Sequence, residues 1–413
     1  MKKLLYVFVS LSVLLAACGT AGTAAPATAT EMATVPAPTI TPVASASPPR
    51  AGTGTTPQTP TVTPSPQPSP TRLYPPEGYG PSNFPSNVNP LTGLQVADPT
   101  LLERRPMLIK VANLKRTVRP QAGLSLADIV FEYYTEQGTT RFAAIFYGNN
   151  ADMVGPIRSG RFIDAHLVRG YKAVFAFGGA YVAEMNLFKK SGFWDRVAVE
   201  GPNSPLKRNP DLLPDHLYEE TLFVNTADLS AYITARHVEN GRQNLDGITF
   251  KLESPAGGQP GNQVIVYYSR SIYNRWDYDP TTGKYLRFSD TLDLTDDNQN
   301  EQYAQLTDRL TGQPIAFDNV VALYVTHEVY SSDSEGNKIY DIQLIGSGNG
   351  VAFRDGQAYQ VKWQRNATDV VSLTNPDGTP FPFKPGTTWF EVVGVNSTVQ
   401  QTAQGWRFTH QMP

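Results

Sequence analysis

Met107-Leu108-Ile109-Lys110-Val111-Ala112, Ile129-Val130-Phe131-Glu132-Tyr133-Tyr134 and Phe142-Ala143-Ala144-Ile145-Phe146-Tyr147 are the three runs on which the reading of this chain turns. Each is short, apolar and rich in β-branched or aromatic residues, which predicts three strands. Downstream, Pro156 stands where a helix can begin, and Phe162, Ile163, Leu167 and Val168 recur at helical spacing up to about Tyr171. Residues 172–177 read as a buried strand ended by Gly178-Gly179. A helix is expected over 181–190, and another, capped by Asn225 or Thr226, runs through His237. Strands mixed with helices define an α+β or α/β domain over residues 83–245.

From residue 246 to 413 the texture changes. Strand-like runs at 248–252, 263–269, 284–288, 320–326, 339–345 and 388–393 are separated by turn signals such as Asp279-Pro280, Asp355-Gly356 and Pro376-Asp377-Gly378. The glycine-rich stretch 346–350 is read as a further turn. A mostly β second domain is expected.

Upstream, residues 18–82 are almost entirely Ala, Thr, Pro, Ser and Gly. They have no hydrophobic period, so they cannot bury enough surface to offset ordering entropy, and they read as a disordered, polyproline-biased tether. Lys2 and Lys3 precede an apolar run over 4–15, too short to cross a bilayer comfortably, so residues 1–17 read as a cleaved signal peptide. Leu15-Ala16-Ala17-Cys18 resembles the bacterial lipobox, and the resemblance implies acylation of Cys18 with palmitate-type chains. Cys18 is the single cysteine, so no intramolecular disulfide supports the body. A net charge of -3 gives no bulk attraction to nucleic acid, and no nucleic-acid partner is expected. Residues 103–172 nonetheless carry eleven Lys/Arg against six Asp/Glu.

Several phrases resemble the bacterial YerB-like lipoproteins, a family built of a domain of unknown function and its C-terminal companion. In the first part they are Pro90-Leu91-Thr92-Gly93, Arg119-Pro120-Gln121-Ala122-Gly123-Leu124, Ala127-Asp128-Ile129-Val130-Phe131-Glu132, Thr140-Arg141-Phe142 and Gly155-Pro156-Ile157-Arg158-Ser159-Gly160-Arg161. In the second they are Trp276-Asp277-Tyr278-Asp279, Tyr285-Leu286-Arg287, Asp318-Asn319-Val320 and Pro385-Gly386-Thr387-Thr388-Trp389. The chain departs from the family pattern at Asp215-His216-Leu217-Tyr218. The resemblance implies a lipid anchor and two parts, and it carries no activity with it.

The sharpest local signal is Gly155-Pro156-Ile157-Arg158-Ser159-Gly160-Arg161. With a helix starting at Pro156, Arg158 and Arg161 would sit in its first turn, where unpaired N–H groups already present positive charge. Cations there call for a compensating anion: either a bound phosphate or carboxylate, or an internal acid such as Asp128, Glu132 or Asp164. Arg141 at a strand start either joins that site or pairs with Glu132 or Glu136. Asn113, Arg119 and Gln121, on the loop leaving the first strand, either brace turns or face a ligand.

Other chemistries find less support. There is no Gly-x-Ser-x-Gly elbow, and His166, His216, His237, His327 and His410 lack ligand spacing. No metal and no cofactor are expected, and Asp293, Asp296 and Asp297 read as a solvated acidic loop. Trp276, Tyr278, Tyr285, Trp363 and Trp389 read as core aromatics. Two functional readings remain, beside the structural possibility of a spacer-borne peptidoglycan-contacting protein without a small ligand. In the first, a non-catalytic, membrane-anchored extracytoplasmic binding or scaffold lipoprotein engages an anionic cell-wall precursor or an envelope protein. In the second, an envelope enzyme acts on phosphorylated lipid-linked glycan precursors.

Overall fold

The first two expected strands form at their expected bounds, because both faces of each are covered and the apolar run is unbroken. The computed structural model describes residues 74–212, 218–296, 299–332 and 336–413; Cys18, the tether up to residue 73, His216 and Asp297 lie outside them. The first region contributes β1 (Met107–Ala112), β2 (Ile129–Tyr134), β3 (Thr140–Phe146), α1 (Phe162–Gly170), β4 (Val174–Ala176), α2 (Val182–Lys190), β5 (Val197–Ala198) and α3 (Thr226–Ala235). The second region is mostly β. It opens with β6 (Gln263–Tyr267), β7 (Tyr273–Asp279), β8 (Lys284–Asp290) and β9 (Tyr303–Gln305). Then come β10 (Asn319–Val325), β11 (His327–Ser332), β12 (Lys338–Ile342), β13 (Gly346–Arg354) and β14 (Gln357–Arg365). It closes with β15 (Ser372–Thr374), β16 (Thr388–Gly394), β17 (Thr398–Gln401) and β18 (Gly405–Thr409).

The main path of the large sheet runs β15-β14-β13-β10-β16-β2-β3-β1-β4-β5, so strands of both regions share it. The seam is the parallel pairing of β2 with β16, with Ile129 opposite Thr388 and Glu132 opposite Glu391. A second sheet, β9-β8-β7-β6-β18-β17, covers one face. Alternation along each strand sorts the core. Leu108, Phe131, Tyr133 and Ile145 pack with Ile163, Leu167 and Val168 of α1. Ile109, Val111, Val130 and Phe142 pack with Val264, Val266 and Trp276 of the second sheet. Each such side chain, fully buried, contributes about 1.5–3 kcal/mol, and this core supplies the stability that no disulfide can.

One polar cluster is locked into that second interface. Arg287 of β8 donates to Glu132 Oε2 at 2.6 Å and to Glu391 Oε1 at 3.1 Å. All three side chains are at most 1% exposed. Trp276 Nε1 donates to Glu391 Oε1 at 2.8 Å, and Tyr268 OH to Oε2 at 3.0 Å. Burial pushes the Glu132 carboxyl up to about 7 against the pull of Arg287.

Three expectations change. The helix begins at Phe162, not at Pro156, because the intervening backbone is already engaged. Ala112 N donates to Pro156 O, Ile157 N to Leu222 O, and Arg158 N to Lys110 O. Arg161 is therefore the N-cap, its N–H held by Asp164 Oδ2 at 2.7 Å. The glycine-rich stretch 346–350 is the first half of β13, with Gly348 opposite Trp363. A Cβ at Gly348 would lie 2.5 Å from Trp363 Nε1, so close packing rather than a turn selects glycine there. The expected tether boundary at 82 also moves: Tyr79 exchanges backbone hydrogen bonds with Phe250 at 3.0 and 2.8 Å, and Pro81 O accepts from Gly247 N. Residues 74–82 thus pack with the body. Asn225, of the two alternatives, caps α3, accepting from Ala227 N and Asp228 N.

Candidate functional site

The seven candidate residues of the first region fall into three places. Asn113 and Arg119 brace the loop after β1 against the second sheet. Asn113 is buried and donates to Glu132 Oε1 and Thr140 Oγ1, while its Oδ1 accepts from Arg119 Nη2 at 2.8 Å. Arg119 Nη1 reaches Asp290 Oδ1 at 2.9 Å, beside Arg116, which also binds Asp290. Gln121 is buried, and its Nε2 donates to Ala112 O. Gln121 Oε1 is buried without a hydrogen-bond partner, and these three residues line no common site with the remaining four.

Arg141, Arg158, Ser159 and Arg161 do come together, where the end of β2, the start of β3 and the N-terminus of α1 meet. The clamp is Glu136, on the turn between β2 and β3. Its Oε2 accepts from Arg161 Nε at 2.8 Å and its Oε1 from Arg141 Nη2 at 3.0 Å, with Arg161 Nη2 also on Oε1. Arg141 Nη1 donates to Ser159 O at 3.2 Å. Neither Glu132 nor Asp128 serves these arginines: Glu132 belongs to Arg287, and Asp128 accepts from Tyr147 N and Gly148 N. Glu184 of α2 stands 3.7 Å from Arg161 Nε, with its Oε1 buried and without a hydrogen-bond partner. The exposed ring of Tyr181 lies 5.1 Å from the Arg161 guanidinium.

Arg158 differs from its neighbours. It is half-buried, and its guanidinium makes no hydrogen bond or ion pair with the described residues. It lines a depression of ≈ 130 Å³ with Ser159, Gly178, Leu222 and Arg208. Arg208 is itself paired with Glu200 and lies 3.5 Å from the Tyr218 ring centroid. The electrostatics differ between the arginines: against its burial, Glu136 and Glu184 raise Arg161, whereas Arg141 is lowered. Burial, then the charge of Arg161, lowers the Arg141 guanidinium to about 10, with Arg158 adding to the effect. Burial pushes the Glu184 carboxyl up to about 7, so it neutralises Arg161 only in part near neutral pH.

Beneath the arginines runs a fully buried chain. Lys110 Nζ donates to Tyr133 OH, Tyr133 OH donates to Asp164 Oδ1, and Lys110 Nζ lies 3.5 Å from that same oxygen. Burial lowers the Lys110 ammonium to about 7 despite Asp164. Sequence reasoning missed Lys110, Tyr133 and Glu184, whereas Glu136 is one of the two partners it offered for Arg141. Of the missed three, only Lys110 carries a local signal, as a lone cation in an otherwise apolar strand.

The histidines hold no metal set: among the described residues no group of three His, Cys, Asp or Glu converges. His327 and His410 do meet, with ring centroids 5.2 Å apart. His410 Nδ1 accepts from Gly394 N at 3.1 Å, which leaves the proton on Nε2, facing Met412 Sδ at 2.7 Å. A protonated Nε2 is no ligand. Burial lowers His166 to about 4, and Arg365 adds to this, which makes it a poor base at neutral pH. Trp276, Tyr285, Trp363 and Trp389 are buried, as expected of core aromatics, whereas Tyr278 is only half-buried.

The N-terminal domain of the protein of unknown function family DUF3048 matches residues 91–239, and its C-terminal domain matches residues 264–390. A protein named "Putative lipoprotein YerB", from Bacillus subtilis (strain 168), is 30% identical over 312 residues, covering 74% of this chain and 85% of its own length. The chain belongs to the DUF3048 family. The crystal structure of the Bacillus subtilis YerB protein aligns with a TM-score of 0.59 at 26% identity, over 74% of this chain and 96% of that one. The arginine cluster, Glu136, Glu184 and the Lys110 chain all lie within the DUF3048 N-terminal match. Arg287 lies within the C-terminal match and Glu391 one residue past it. Among the described residues no helix is long and apolar enough to cross a membrane.

Proposed function

We propose that this DUF3048 protein is an extracytoplasmic lipoprotein, anchored to the cell membrane through acylated Cys18, that binds rather than transforms its target. Its site is the depression at Arg158 and Ser159, backed by Arg141 and Arg161. The target is an anionic group, phosphoryl or carboxylate, carried by a cell-wall precursor or an envelope protein. The observation that carries this reading is the position of Arg158: a half-buried guanidinium beside two others, while Glu136 is already shared by Arg141 and Arg161. An anion seated there takes hydrogen bonds from a planar fork and a serine hydroxyl, and relieves repulsion among three cations. The depression admits one such group and not a whole ligand, so the rest of the target lies outside it.

Thermal unfolding of the full chain and of Arg158→Ala, with and without inorganic phosphate and glucosamine 1-phosphate, tests the proposal. The parent is expected to gain stability with ligand as RT ln(1 + [L]/Kd). Arg158→Ala is expected to match or slightly exceed the unliganded parent and to lose the gain. A loss of about 3 kcal/mol or more in Arg158→Ala, with no ligand-dependent shift in the parent, would assign Arg158 to architecture.

The enzyme reading is favoured by a single feature, the Lys110-Tyr133-Asp164 chain, whose lysine is lowered to about 7 and so is suited to proton transfer. Release of phosphate from a phosphorylated lipid-linked glycan, abolished by Lys110→Met, would replace binding by catalysis.

A further inference from the structure

A second recess, of ≈ 490 Å³, shares no residue with the arginine cluster. It lies at the end of the large sheet, where β10 and β16 finish and β13 begins. Tyr324 of β10, Ser347 and Asn349 of β13 and Gln360 of β14 line it. These side chains share one side of the sheet, because Leu323 pairs with Gly350 and Val351 with Gln360, and alternate residues point the same way. Ile345 and Val395 complete the wall, and they are 43% and 51% exposed.

The chemistry of this lining is unusual for the molecule. It contains no Asp, Glu, Lys, Arg or His. The Tyr324 hydroxyl, the Ser347 hydroxyl and the amides of Asn349 and Gln360 make no hydrogen bond with other described residues. Four neutral groups that donate and accept therefore face one recess beside a half-buried aromatic ring and two exposed aliphatic side chains. The frame is rigid. Trp363 Nε1 donates to Tyr324 O at 2.9 Å from beneath, and Gly348 lies opposite Trp363 in the ladder with no side chain to obstruct it.

We infer that this recess binds a neutral glycan segment. Sugar hydroxyl and acetamido groups both donate and accept, which matches amide and hydroxyl side chains, while the C–H faces of the ring cover aromatic and aliphatic surface. An anionic ligand finds no counter-charge here and would be desolvated without compensation. The inference stands apart from the Arg158 site, so the protein would hold a charged group with one region and uncharged glycan with the other.

Calorimetric titration of the detergent-solubilised full chain with tetra-N-acetylchitotetraose and with cellotetraose tests it. Saturable binding of either sugar, with Kd of about 1 mM or tighter, is expected. The pair Asn349→Ala and Gln360→Ala, both on exposed strand positions, should weaken it at least about tenfold, and Tyr324→Phe, which keeps the ring, should also weaken it. Arg158→Ala and a rise to about 0.5 M salt should leave it unchanged, because no charge is involved. Absence of binding by both sugars at about 10 mM, or binding unaltered in the folded Asn349/Gln360 double variant, would overturn the inference.

Discussion

Replacing Arg287 with methionine removes the one cation between Glu132 and Glu391, a guanidinium whose carbon lies 4.5 Å from the Trp389 ring centroid, while keeping most of the apolar stem. The two carboxyl groups face each other across paired strands and are fully buried, so they cannot both remain charged without it. In the parent, burial has already raised Glu132 to about 7. The variant needs a second proton on the pair, and holding a carboxyl protonated at pH 7 against an unfolded value of 4.5 costs about 3 kcal/mol at 1.36 kcal/mol per unit. Loss of the guanidinium hydrogen bonds brings the expected deficit to about 3–5 kcal/mol. Its pH dependence is diagnostic. Glu132 holds its proton above the unfolded value, so its contribution is fully present below 4.5 and lost as pH rises through about 7. Urea unfolding of parent and variant at several pH values should therefore show the deficit shrinking as pH falls from 7 toward 4.5. A deficit under about 1 kcal/mol, or one constant with pH, would refute the claim that Arg287 neutralises this pair.

Glu136→Gln leaves Arg141 and Arg161 without their shared charge; these side chains are 11% and 6% exposed, so a loss of about 3 kcal/mol is expected by chemical denaturation, partly restored by added phosphate. Lys110→Met should alter the slope of stability with pH: the depressed lysine makes the parent gain stability as pH rises from about 7 toward 10.5, and the variant should lose that gain in the same unfolding series. A chain beginning at Tyr74 should melt with the full chain, whereas one beginning at Asn83 should melt several degrees lower, because Tyr79 is bridged to Phe250. Cys18→Ala should release the protein from the membrane fraction, and mass spectrometry of the parent should find acylated Cys18.

Periodicity made β1 and β2 legible to the residue, because burial on both faces leaves Met107–Ala112 and Ile129–Tyr134 almost free of interruption. It failed at β13, since glycines chosen to fit against Trp363 carry the composition of a turn. Pro156 misled in the same way: proline suits a first helical turn, but here its carbonyl serves Ala112 across a strand-like contact. The grouping of Arg141, Ser159 and Arg161 was foreseeable from one basic motif and one strand start. Glu136, five residues before Arg141, was legible as its partner; that it also takes Arg161, and that Glu184 comes in from a second helix, was not. Local spacing holds no record of such convergence. Neither does it record the seam between β2 and β16, whose partners are most of the chain apart.

That seam has a bearing on how the chain folds. The chain emerges N-terminus first, and the first region completes β1, β3 and β2 long before Thr388 arrives to pair with Ile129. Until then β2 presents an open sheet edge, a template for wrong partners. The large sheet is therefore complete only once the last strands arrive. Anchoring at Cys18 would hold each waiting chain at the membrane, apart from its neighbours, during that interval. A fragment ending before β16 would keep the open edge for good, so either half of the sheet alone should aggregate where the whole chain does not.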